Sequence, residues 1–333
     1  MSNDLRIEDY AIVIPTYNPS IKLLIELLKS LLKNGVLNIY VVDSSINSID
    51  MKVRNELLSN DQENISCAER IHIIRVDNYG AAYSMNMGVR EAIKNGAKVI
   101  TIMDDDTILR DFDIISILSF FSKNVRRDKD LLILADENTY VASKNLNKEQ
   151  KAWVETGMTF HNELFERIQF REDFIMDWID IEFSLKIIKN GGKLIFYPGN
   201  VLTNLPIGRE IGRNINHLPN FRIYTLTRNS IRLAMEFKSV KSMILAFYGI
   251  IPWATASVRS GEKIRKVLNC IFYGFIDAIN NNTGITLHLQ KISNNRFFLI
   301  NNAVRDFDSS GKSRRKINQR YGISRKRLKR ERL

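Results

Sequence analysis

The sequence predicts an α/β protein with a mostly parallel, doubly wound sheet, followed by a helical C-terminal extension. Short β-branched runs alternate with helical segments through the first two hundred residues. These runs are almost continuously apolar, which is typical of strands covered on both faces. Three helical segments end in Lys-Asn-Gly, at 33–35, 94–96 and 189–191, a common helix stop signal. Such strand–helix alternation favours a parallel sheet with helices on both faces.

Six strands are expected in this region, and each is a short apolar run. They cover residues 11–15, 39–43, 71–76, 98–103, 131–135 and 193–197. The first helix is expected at 20–34, where leucine and isoleucine recur at helical spacing. In an open α/β sheet, ligands bind beyond the carboxyl ends of the strands. Polar residues that follow these strands are therefore the candidates for a functional site.

The composition is that of an ordinary globular protein. Of the 333 residues, 44% are hydrophobic and 26% are charged, which excludes collagen-like and wholly disordered chains. Cys67 and Cys270 are the only cysteines, so we expect neither a disulfide framework nor a cysteine zinc site. Residues 1–10 are polar and show no leader pattern. We therefore expect a cytoplasmic protein.

The positive charge is concentrated at the C-terminus. The chain carries a formal charge of +12, and residues 312–333 hold eleven basic residues against one acid, or +10. The other 311 residues therefore account for only +2. Such a tail suits anionic lipid headgroups or nucleic acid, and its charge alone does not choose between them. The alternative is a solvated, disordered terminus.

Two apolar segments precede this tail, at 243–257 and 267–279. Neither reaches the roughly 18–20 apolar residues that a membrane-spanning helix needs. Pro252 interrupts the first segment, and Asn269 and Gly274 interrupt the second. Both are rich in aromatic residues, as helices that lie on a membrane surface often are. Two core helices are an equally good interpretation of the pattern.

Three adjacent aspartates, Asp104, Asp105 and Asp106, follow the fourth expected strand. Alternate residues of an extended segment share a face, so we expect Asp104 and Asp106 to point together. Two carboxylates on one side suit Mg²⁺ or Mn²⁺, which typically also binds substrate phosphates. Asp105 would then point elsewhere, toward a sugar hydroxyl. The alternative is an acidic loop at the edge of the sheet.

Asp43 ends the second expected strand, and a helix is expected to begin close to Gly80. A carboxylate at the end of a strand can accept hydrogen bonds from a base or a ribose, although an Asx-turn or a helix cap is the alternative.

The small residues Gly80, Ala81 and Ala82 would let a diphosphate or another backbone approach the helix closely. Neither a dinucleotide-binding glycine fingerprint nor a P-loop occurs in the chain, which disfavours NAD enzymes and P-loop NTPases.

A second acidic cluster contains Asp177, Asp180 and Glu182. On a helix, Asp177 and Asp180 would share a face, whereas Glu182 would lie about 200° from Asp180. Asp180 is therefore a candidate general base at a helix N-terminus. Stabilisation of the helix dipole by acids in the first turn is the alternative.

The ordered set of motifs resembles the family 2 glycosyltransferases, which are inverting enzymes of the GT-A fold. The similarity spans about residues 10–230 and extends to a segment typical of rhamnosyltransferases and galactofuranosyltransferases. The motifs are IVIPTYN (12–18), VVDSS (41–45), NYGAAYSMNMG (78–88), MDDDT (103–107), ETGM (155–158), FIMDWIDIEFSLKIIKNGG (174–192) and RIYTLTRN (222–229).

The resemblance implies a role for each matching position. The positions implied at the nucleotide-sugar donor are Pro15, Thr16, Tyr17, Asn18, Asp43, Asn78, Gly80, Asn86 and Asp105. Asp104 and Asp106 would hold the divalent cation, and Asp180 would be the catalytic base. The positions implied at the acceptor are Thr156, Gly157, Trp178 and Glu182.

The chain departs from the family pattern in two places. Relatives often carry a metal-binding histidine after the last strand, whereas this chain has Asn204 there. Asn204 or His217 would complete the metal site, or the site would have fewer protein ligands. Thr225 replaces the second tyrosine of the segment at 222–229, which weakens the assignment to that branch.

Together, the motifs and the family resemblance imply an inverting, metal-dependent enzyme. It would move a sugar from a UDP- or dTDP-sugar to a hydroxyl of a glycan or polyprenyl-linked acceptor, in the synthesis of a cell-envelope polysaccharide. We expect a catalytic domain at 1–235, a helical and membrane-associating region at 236–310, and a basic disordered tail at 311–333. An anionic membrane surface is an expected partner, and nucleic acid is not. The alternatives are a sugar nucleotidyltransferase and a non-enzymatic adaptor that uses the tail.

Overall fold

The structure is a computed structural model. It describes residues 5–58, 69–134, 156–199, 201–204, 220–237, 240–259, 261–293, 305–307 and 313–315. The strands are β1 (Tyr10–Thr16), β2 (Ile39–Asp43), β3 (Ile71–Arg75), β4 (Val99–Ile102), β5 (Thr107–Leu109), β6 (Leu131–Ile133), β7 (Met158–His161), β8 (Leu194–Phe196), β9 (Leu202–Asn204), β10 (Arg305–Phe307) and β11 (Ser313–Arg315).

The α-helices of the described residues follow the same chain order. They are α1 (Ile21–Lys33), α2 (Asp50–Leu58), α3 (Ala81–Lys94), α4 (Ile114–Asn124), α5 (Asn162–Arg167), α6 (Ile179–Lys189), α7 (Asn220–Glu236), α8 (Val240–Arg259), α9 (Ile264–Ile279) and α10 (Leu287–Ile292). Glycines with positive φ follow α1, α3 and α6 at Gly35, Gly96 and Gly191, where the sequence predicts helix stops.

A seven-stranded sheet forms the centre of the molecule, in the order β3-β2-β1-β4-β7-β6-β8. β7 runs antiparallel to its neighbours β4 and β6, and all other pairs in the sheet are parallel. The predicted mostly parallel α/β sheet is therefore confirmed. The six expected strands form six of the seven, whereas β7 (Met-Thr-Phe-His) was missed because it is short and lacks an apolar run.

Helices cover both faces of this sheet. Ile12 and Ile14 of β1 pack in one core with residues of α1, α2 and α4. Ala11 and Val13 of the same strand pack in a second core, with residues of α3, α5 and α6. Alternate side chains of β1 therefore pack against the helical layers on opposite faces of the sheet, which explains why the strand is apolar at successive positions.

The C-terminal part of the chain is helical from α7 to α10 in the residues that the structure describes, and the short strands β10 and β11 follow. A third core combines residues of α7, α8, α9 and α10, and it also includes Ile175 from the loop before α6. Gly274 of α9 lies against α7, since a Cβ there would meet the Tyr224 carbonyl oxygen at 2.8 Å. α7 and α9 are therefore packed backbone to backbone.

The two apolar segments expected at 243–257 and 267–279 lie in α8 and α9. No helix among the described residues is long and apolar enough to span a membrane. Within the basic tail, β11 pairs antiparallel with β10, and residues 316–333 lie outside the described residues.

Candidate active site

Asp104, Asp105 and Asp106 follow β4 directly, at the carboxyl end of the parallel strands. The backbone turns there instead of continuing in an extended form, and the amide of Thr107 donates to the Asp104 carbonyl oxygen at 3.3 Å. The alternation predicted for Asp104 and Asp106 is therefore wrong as a description of the backbone. A turn after the strand groups the aspartates instead, and β5 begins immediately afterwards.

Two threonine hydroxyl groups hold two of the three carboxylates, one at the end of β1 and one shortly before β7. Thr16, the last residue of β1, donates to the Asp105 carboxylate. Thr156 donates to the Asp104 carboxylate and accepts from the Asp104 amide at 3.2 Å. Gly157 donates from its amide to the Ile102 carbonyl oxygen at 2.7 Å. The structure therefore brings the expected acceptor residues Thr156 and Gly157 beside the aspartate turn.

Burial and nearby negative charge raise the pKa values of Asp105 and Asp106. The pKa of Asp105 rises to about 6 because it is desolvated and lies near the charge of Asp104. The pKa of Asp106 also rises to about 6, through desolvation and the charges of Asp104 and Asp105. Negative charge is therefore under-compensated at this turn, and a bound cation would relieve the repulsion.

The donor set suits a divalent cation that also binds substrate oxygens. Among the described residues, no group of three or more histidine, cysteine or acidic side chains converges as a ready metal site. Two carboxylates with phosphate oxygens and water are a common Mg²⁺ environment. The Cα of Asn204 is the register partner of Thr107, so its backbone lies beside the turn. His217 lies outside the described residues.

The loop after β1 is tied to the loop after β2. Pro15 and Thr16 lie within β1, in register with Val42 and Asp43. The amide of Asn18 donates to the Ser45 hydroxyl at 2.8 Å, and Asn18 has a positive φ of 49°. Burial raises the pKa of the Tyr17 phenol, while hydrogen bonds with Asn18 and Asn78 oppose this effect. These contacts bring the expected donor residues Tyr17, Asn18 and Asn78 together.

Asp43 is buried, and protein groups occupy both of its carboxylate oxygens. One oxygen accepts from the Ser45 amide at 2.9 Å, and the other accepts from the Ile49 amide at 3.1 Å and the Arg75 guanidinium at 2.8 Å. Burial alone would raise the pKa of Asp43, but these hydrogen bonds outweigh it and lower the pKa. The bond to Ser45 is the Asx-turn that was the alternative to a base contact, and the base contact stays a prediction.

Gly80 lies in close contact with the backbone of Ile175. A Cβ at this residue would lie 2.5 Å from the Ile175 carbonyl oxygen, and its φ is +104°. The amide of Ala81 donates to the same oxygen at 2.6 Å. Asn86 is also occupied by protein, because its side chain bonds the Phe170 backbone and the Glu172 carboxylate. In this structure, Gly80 and Asn86 join α3 to the chain that leads into α6.

The loop before α6 has an unusual backbone. Ile175, Asp177 and Trp178 have φ values of 64°, 60° and 66°, a region that L residues other than glycine rarely adopt. Each such residue costs on the order of 1–3 kcal/mol, so the conformation persists only where surrounding contacts impose it. α6 begins only at Ile179, so the prediction that Asp177 and Asp180 share a helix face is wrong. A left-handed turn separates them.

Asp180 lies in the first turn of α6 and is half-buried. Its pKa rises to about 7, mainly through desolvation, with further contributions from the charges of Asp104 and Asp177. The carboxylate therefore lies within electrostatic reach of the aspartate turn. It can accept a proton at neutral pH, as a general base requires.

The two expected acceptor residues near Asp180 differ in exposure. Glu182 is buried, and one of its oxygens contacts the Lys186 ammonium at 2.7 Å. Burial raises the pKa of Glu182, and Lys186 opposes the increase. Trp178 is half-buried at the start of α6 and is therefore still accessible from outside. The structure places Trp178, but not Glu182, where a substrate could reach it.

The sequence did not assign site roles to the polar residues of α7. Thr225, Arg228 and Asn229 are fully buried, and together with Arg222 they hydrogen-bond the loop at 173–178. The motif RIYTLTRN contained all four residues, but in the sequence it indicated only a branch of a family. Buried polar residues three and four positions apart on a helix were the available signal.

Part of the chain matches a known protein family. Residues 11–128 match the family described as Glycosyl transferase family 2, a segment that runs from β1 past α4 and includes the aspartate turn. Asp180 lies beyond the matched segment. No curated protein matches the chain.

Glucosyl-3-phosphoglycerate synthase from Mycobacterium tuberculosis, solved in complex with phosphoglyceric acid, is among the solved structures similar to this chain. The similarity covers 61% of this chain and 73% of that one, at 12% sequence identity and a TM-score of 0.39. The family match over β1–α4 confirms the predicted enzyme class, and the protein is a glycosyltransferase.

Proposed function

We propose that the protein is an inverting, metal-dependent glycosyltransferase that uses a UDP- or dTDP-sugar. One observation carries this proposal: Asp180 has a pKa of about 7 and lies within electrostatic reach of Asp104 at the aspartate turn. An inverting transfer needs one base near the activated sugar, together with charge compensation for the leaving diphosphate. Asp180 and the aspartate turn supply these two requirements.

In the proposed reaction, Asp180 removes the proton from an acceptor hydroxyl as that oxygen attacks the anomeric carbon. The bond to the nucleoside diphosphate breaks on the opposite face of the sugar, so the configuration inverts. The proton remains on Asp180. Asp104 and Asp106 would hold Mg²⁺ or Mn²⁺, which neutralises phosphate charge when bound. Thr16 and Thr156 orient two of the three carboxylates by hydrogen bonding.

We propose that the donor nucleotide lies along the loops after β1 and β2. Tyr17, Asn18 and Asn78 meet there, and Ser45 fixes the Asn18 amide. Thr156, Gly157 and Trp178 would line the side from which the acceptor approaches. The segment at 222–229 resembles that of rhamnosyltransferases and galactofuranosyltransferases. We therefore propose that the acceptor is a glycan or a polyprenyl-linked sugar of a cell-envelope polysaccharide.

A panel of nucleotide sugars tests this function. With Mn²⁺ present, we expect one UDP- or dTDP-sugar to raise the melting temperature and to be hydrolysed slowly without an acceptor. GDP-sugars serve as the comparison. NMR of the anomeric proton in the glycosylated product should show inversion. A retained configuration, or cleavage that yields a sugar 1-phosphate and a nucleoside monophosphate, would contradict the proposed reaction.

We further propose that α9 holds the enzyme against an anionic membrane face. Ile264, Leu268, Phe272 and Ile279 are between 49% and 62% exposed, and they lie within about 80° of one another around α9. Three exposed basic residues flank the first residue of α9: Lys263, Arg265 and Lys266. An apolar stripe beside basic residues suits a surface of anionic lipid. In this proposal, residues 1–235 catalyse, 236–310 attach the enzyme to the cytoplasmic membrane face, and the tail at 311–333 adds charge.

Flotation with vesicles tests the attachment. We expect binding to phosphatidylglycerol–phosphatidylcholine vesicles, and Leu268→Glu with Phe272→Glu should remove the part of this binding that persists at high salt. Ile115→Glu is the matched control, because Ile115 is 65% exposed on α4, in the catalytic domain. Deletion of 312–333 should remove only the salt-sensitive part of the binding. Equal flotation of the α9 variant and the wild type would contradict the assigned surface.

A further inference from the structure

We infer that α7 is a positioning element for the base, and that Thr225, Arg222 and Asn229 hold the loop before α6 in the conformation that presents Asp180. The inference rests on the proposed role of Asp180. It concerns residues that touch the loop and not the substrate. The loop comprises residues 173–178, and Asp180 follows it by two residues.

The conformation of this loop is not one that its own sequence favours. Ile175, Asp177 and Trp178 all have positive φ values, and none of them is a glycine. A β-branched residue such as Ile175 is disfavoured there because its side chain meets the backbone. Contacts from elsewhere in the molecule must therefore impose the turn.

Asn229 provides the first set of such contacts. Its side-chain amide nitrogen lies within hydrogen-bonding distance of three carbonyl oxygens of the loop, which share its two hydrogens: those of Phe174 (2.9 Å), Met176 (2.7 Å) and Asp177 (3.0 Å). Arg228 donates to the carbonyl oxygens of Asp173 and Phe174, both at 3.2 Å. The Phe174 carbonyl oxygen also accepts from the Met176 amide, and the Asp173 carbonyl oxygen from the Gly284 amide. The buried side chains of α7 therefore add to the backbone hydrogen bonds that hold this loop.

Arg222 and Thr225 bind the side chain of Asp177. The Arg222 guanidinium donates to one carboxylate oxygen of Asp177 at 2.5 Å and 3.0 Å, and the Thr225 hydroxyl donates to the other at 2.5 Å. Both oxygens of Asp177 are thereby fixed to α7. Because Asp177 is three residues before Asp180, its orientation sets where the first turn of α6 begins.

The same loop also contacts the helix that begins beside the donor loops. The Ile175 carbonyl oxygen accepts from the Ala81 amide at 2.6 Å, at the start of α3. The loop therefore lies between α7 on one side and the N-terminus of α3 on the other. A shift of the loop would change the distance between Asp180 and the donor without altering the donor loops themselves.

Thr225→Val tests the inference, because valine keeps the shape of threonine and removes the hydroxyl. We expect kcat to fall at least tenfold while the dissociation constant of the donor stays within twofold. Backbone amides at 174–181 should exchange with solvent faster than in the wild type. Thr225→Ser restores the hydroxyl and should recover most of the turnover.

Thr227→Val is the matched control. Thr227 is buried on the same helix, and its hydroxyl donates to the Ile223 carbonyl oxygen one turn earlier, at 2.7 Å. We expect unchanged kcat and unchanged exchange at 174–181 for this variant. If both valine variants lose melting temperature equally and neither changes kcat, α7 only stabilises the fold and the inference is wrong.

Asp180→Asn measured in parallel separates this inference from the proposed function. If Asp180→Asn abolishes turnover and Thr225→Val leaves it unchanged, Asp180 is the base and α7 does not position it. If Asp180→Asn retains full turnover, the proposed base is wrong. Faster exchange at 174–181 in Thr225→Val would then still show that α7 holds the loop, but the inference that it positions a base would be overturned.

Discussion

The two sides of the candidate site are built differently. The proposed donor side consists of loops that directly follow β1, β2 and β4, and contacts between neighbouring strand ends hold it, such as Thr16 with Asp105. The proposed base side is a left-handed loop that side chains of a distant helix hold, such as Asn229 with the Phe174 carbonyl oxygen. The donor side follows from the sheet, whereas the base side depends on the packing of the C-terminal helices. Substitutions on the two sides should therefore have separable effects.

The largest effect is expected on the base side. Asp180→Asn should lower turnover by at least about 10²-fold, the usual scale for a lost general base. Donor binding should stay within twofold, because the donor loops do not involve this residue. Initial rates with saturating donor, together with calorimetric titration of the donor, measure the two quantities. Glu182→Gln is the control, and a greater loss of turnover in that variant would show that the base has been misassigned.

A comparable effect of a different kind is expected on the donor side. Asp106→Asn should weaken donor binding and the response to Mn²⁺ together, because both depend on the carboxylates of the aspartate turn. Thermal shift with donor and with increasing Mn²⁺ reports this directly. Asp113→Asn is the control, since Asp113 caps α4 with its side chain and is not at the turn. Full activity of the wild type in excess EDTA would contradict metal dependence.

The difference between the two sides also explains which parts of the candidate site the sequence could predict. Strand ends are local signals, so Asp104, Thr16 and Asn18 could be predicted as candidate site residues from the sequence alone. The conformation of Asp177 could not be predicted, because local pattern indicated a helix and distant residues on α7 impose a left-handed turn. The family resemblance implied that Asn86 and Gly80 lie in the donor pocket, yet their observed contacts are with the chain before α6. Tertiary contacts of this kind are not encoded in local periodicity.

The contact between the two sides can be tested at Gly80. Gly80→Ala should unfold or displace the loop, because its Cβ would lie 2.5 Å from the Ile175 carbonyl oxygen. We expect a loss of roughly 2–4 kcal/mol in the free energy of unfolding, from the clash and the positive φ together. Gly35→Ala is the matched control: its φ is +80°, but nothing lies within 4 Å of the added Cβ. Its loss should be about 1 kcal/mol.

Denaturant titration of the two glycine variants gives both free energies. Equal losses would show that φ alone matters at Gly80 and that the close contact with Ile175 is unimportant. A larger loss in Gly80→Ala, with turnover reduced more than donor binding, would show that the contact between α3 and the loop before α6 supports the base side of the site.

The smallest expected effect is a pH-dependent gain in the stability of the folded protein when Asp180 is replaced by asparagine. Because the pKa of Asp180 rises from an ordinary value of 3.8 to about 7 in the folded protein, the folded state favours the neutral acid. Between these two values the native state binds a proton that the unfolded chain has released. The free energy of unfolding therefore falls as the pH rises through this window, relative to a residue that cannot ionise. Asparagine is such a residue and has nearly the same shape.

Asp180→Asn should accordingly raise the melting temperature by a few degrees at pH 8 and by much less near pH 4. Melting curves of the wild type and the variant across this range measure the difference, which isolates Asp180 from Asp105 and Asp106. An aspartate that only stabilised the helix dipole would behave in the opposite way, because its pKa would be lowered and its replacement would reduce stability at neutral pH. A lower melting temperature of Asp180→Asn at pH 8 would therefore favour that alternative. A higher one, combined with lost turnover, indicates a residue that is retained for catalysis at a cost in stability.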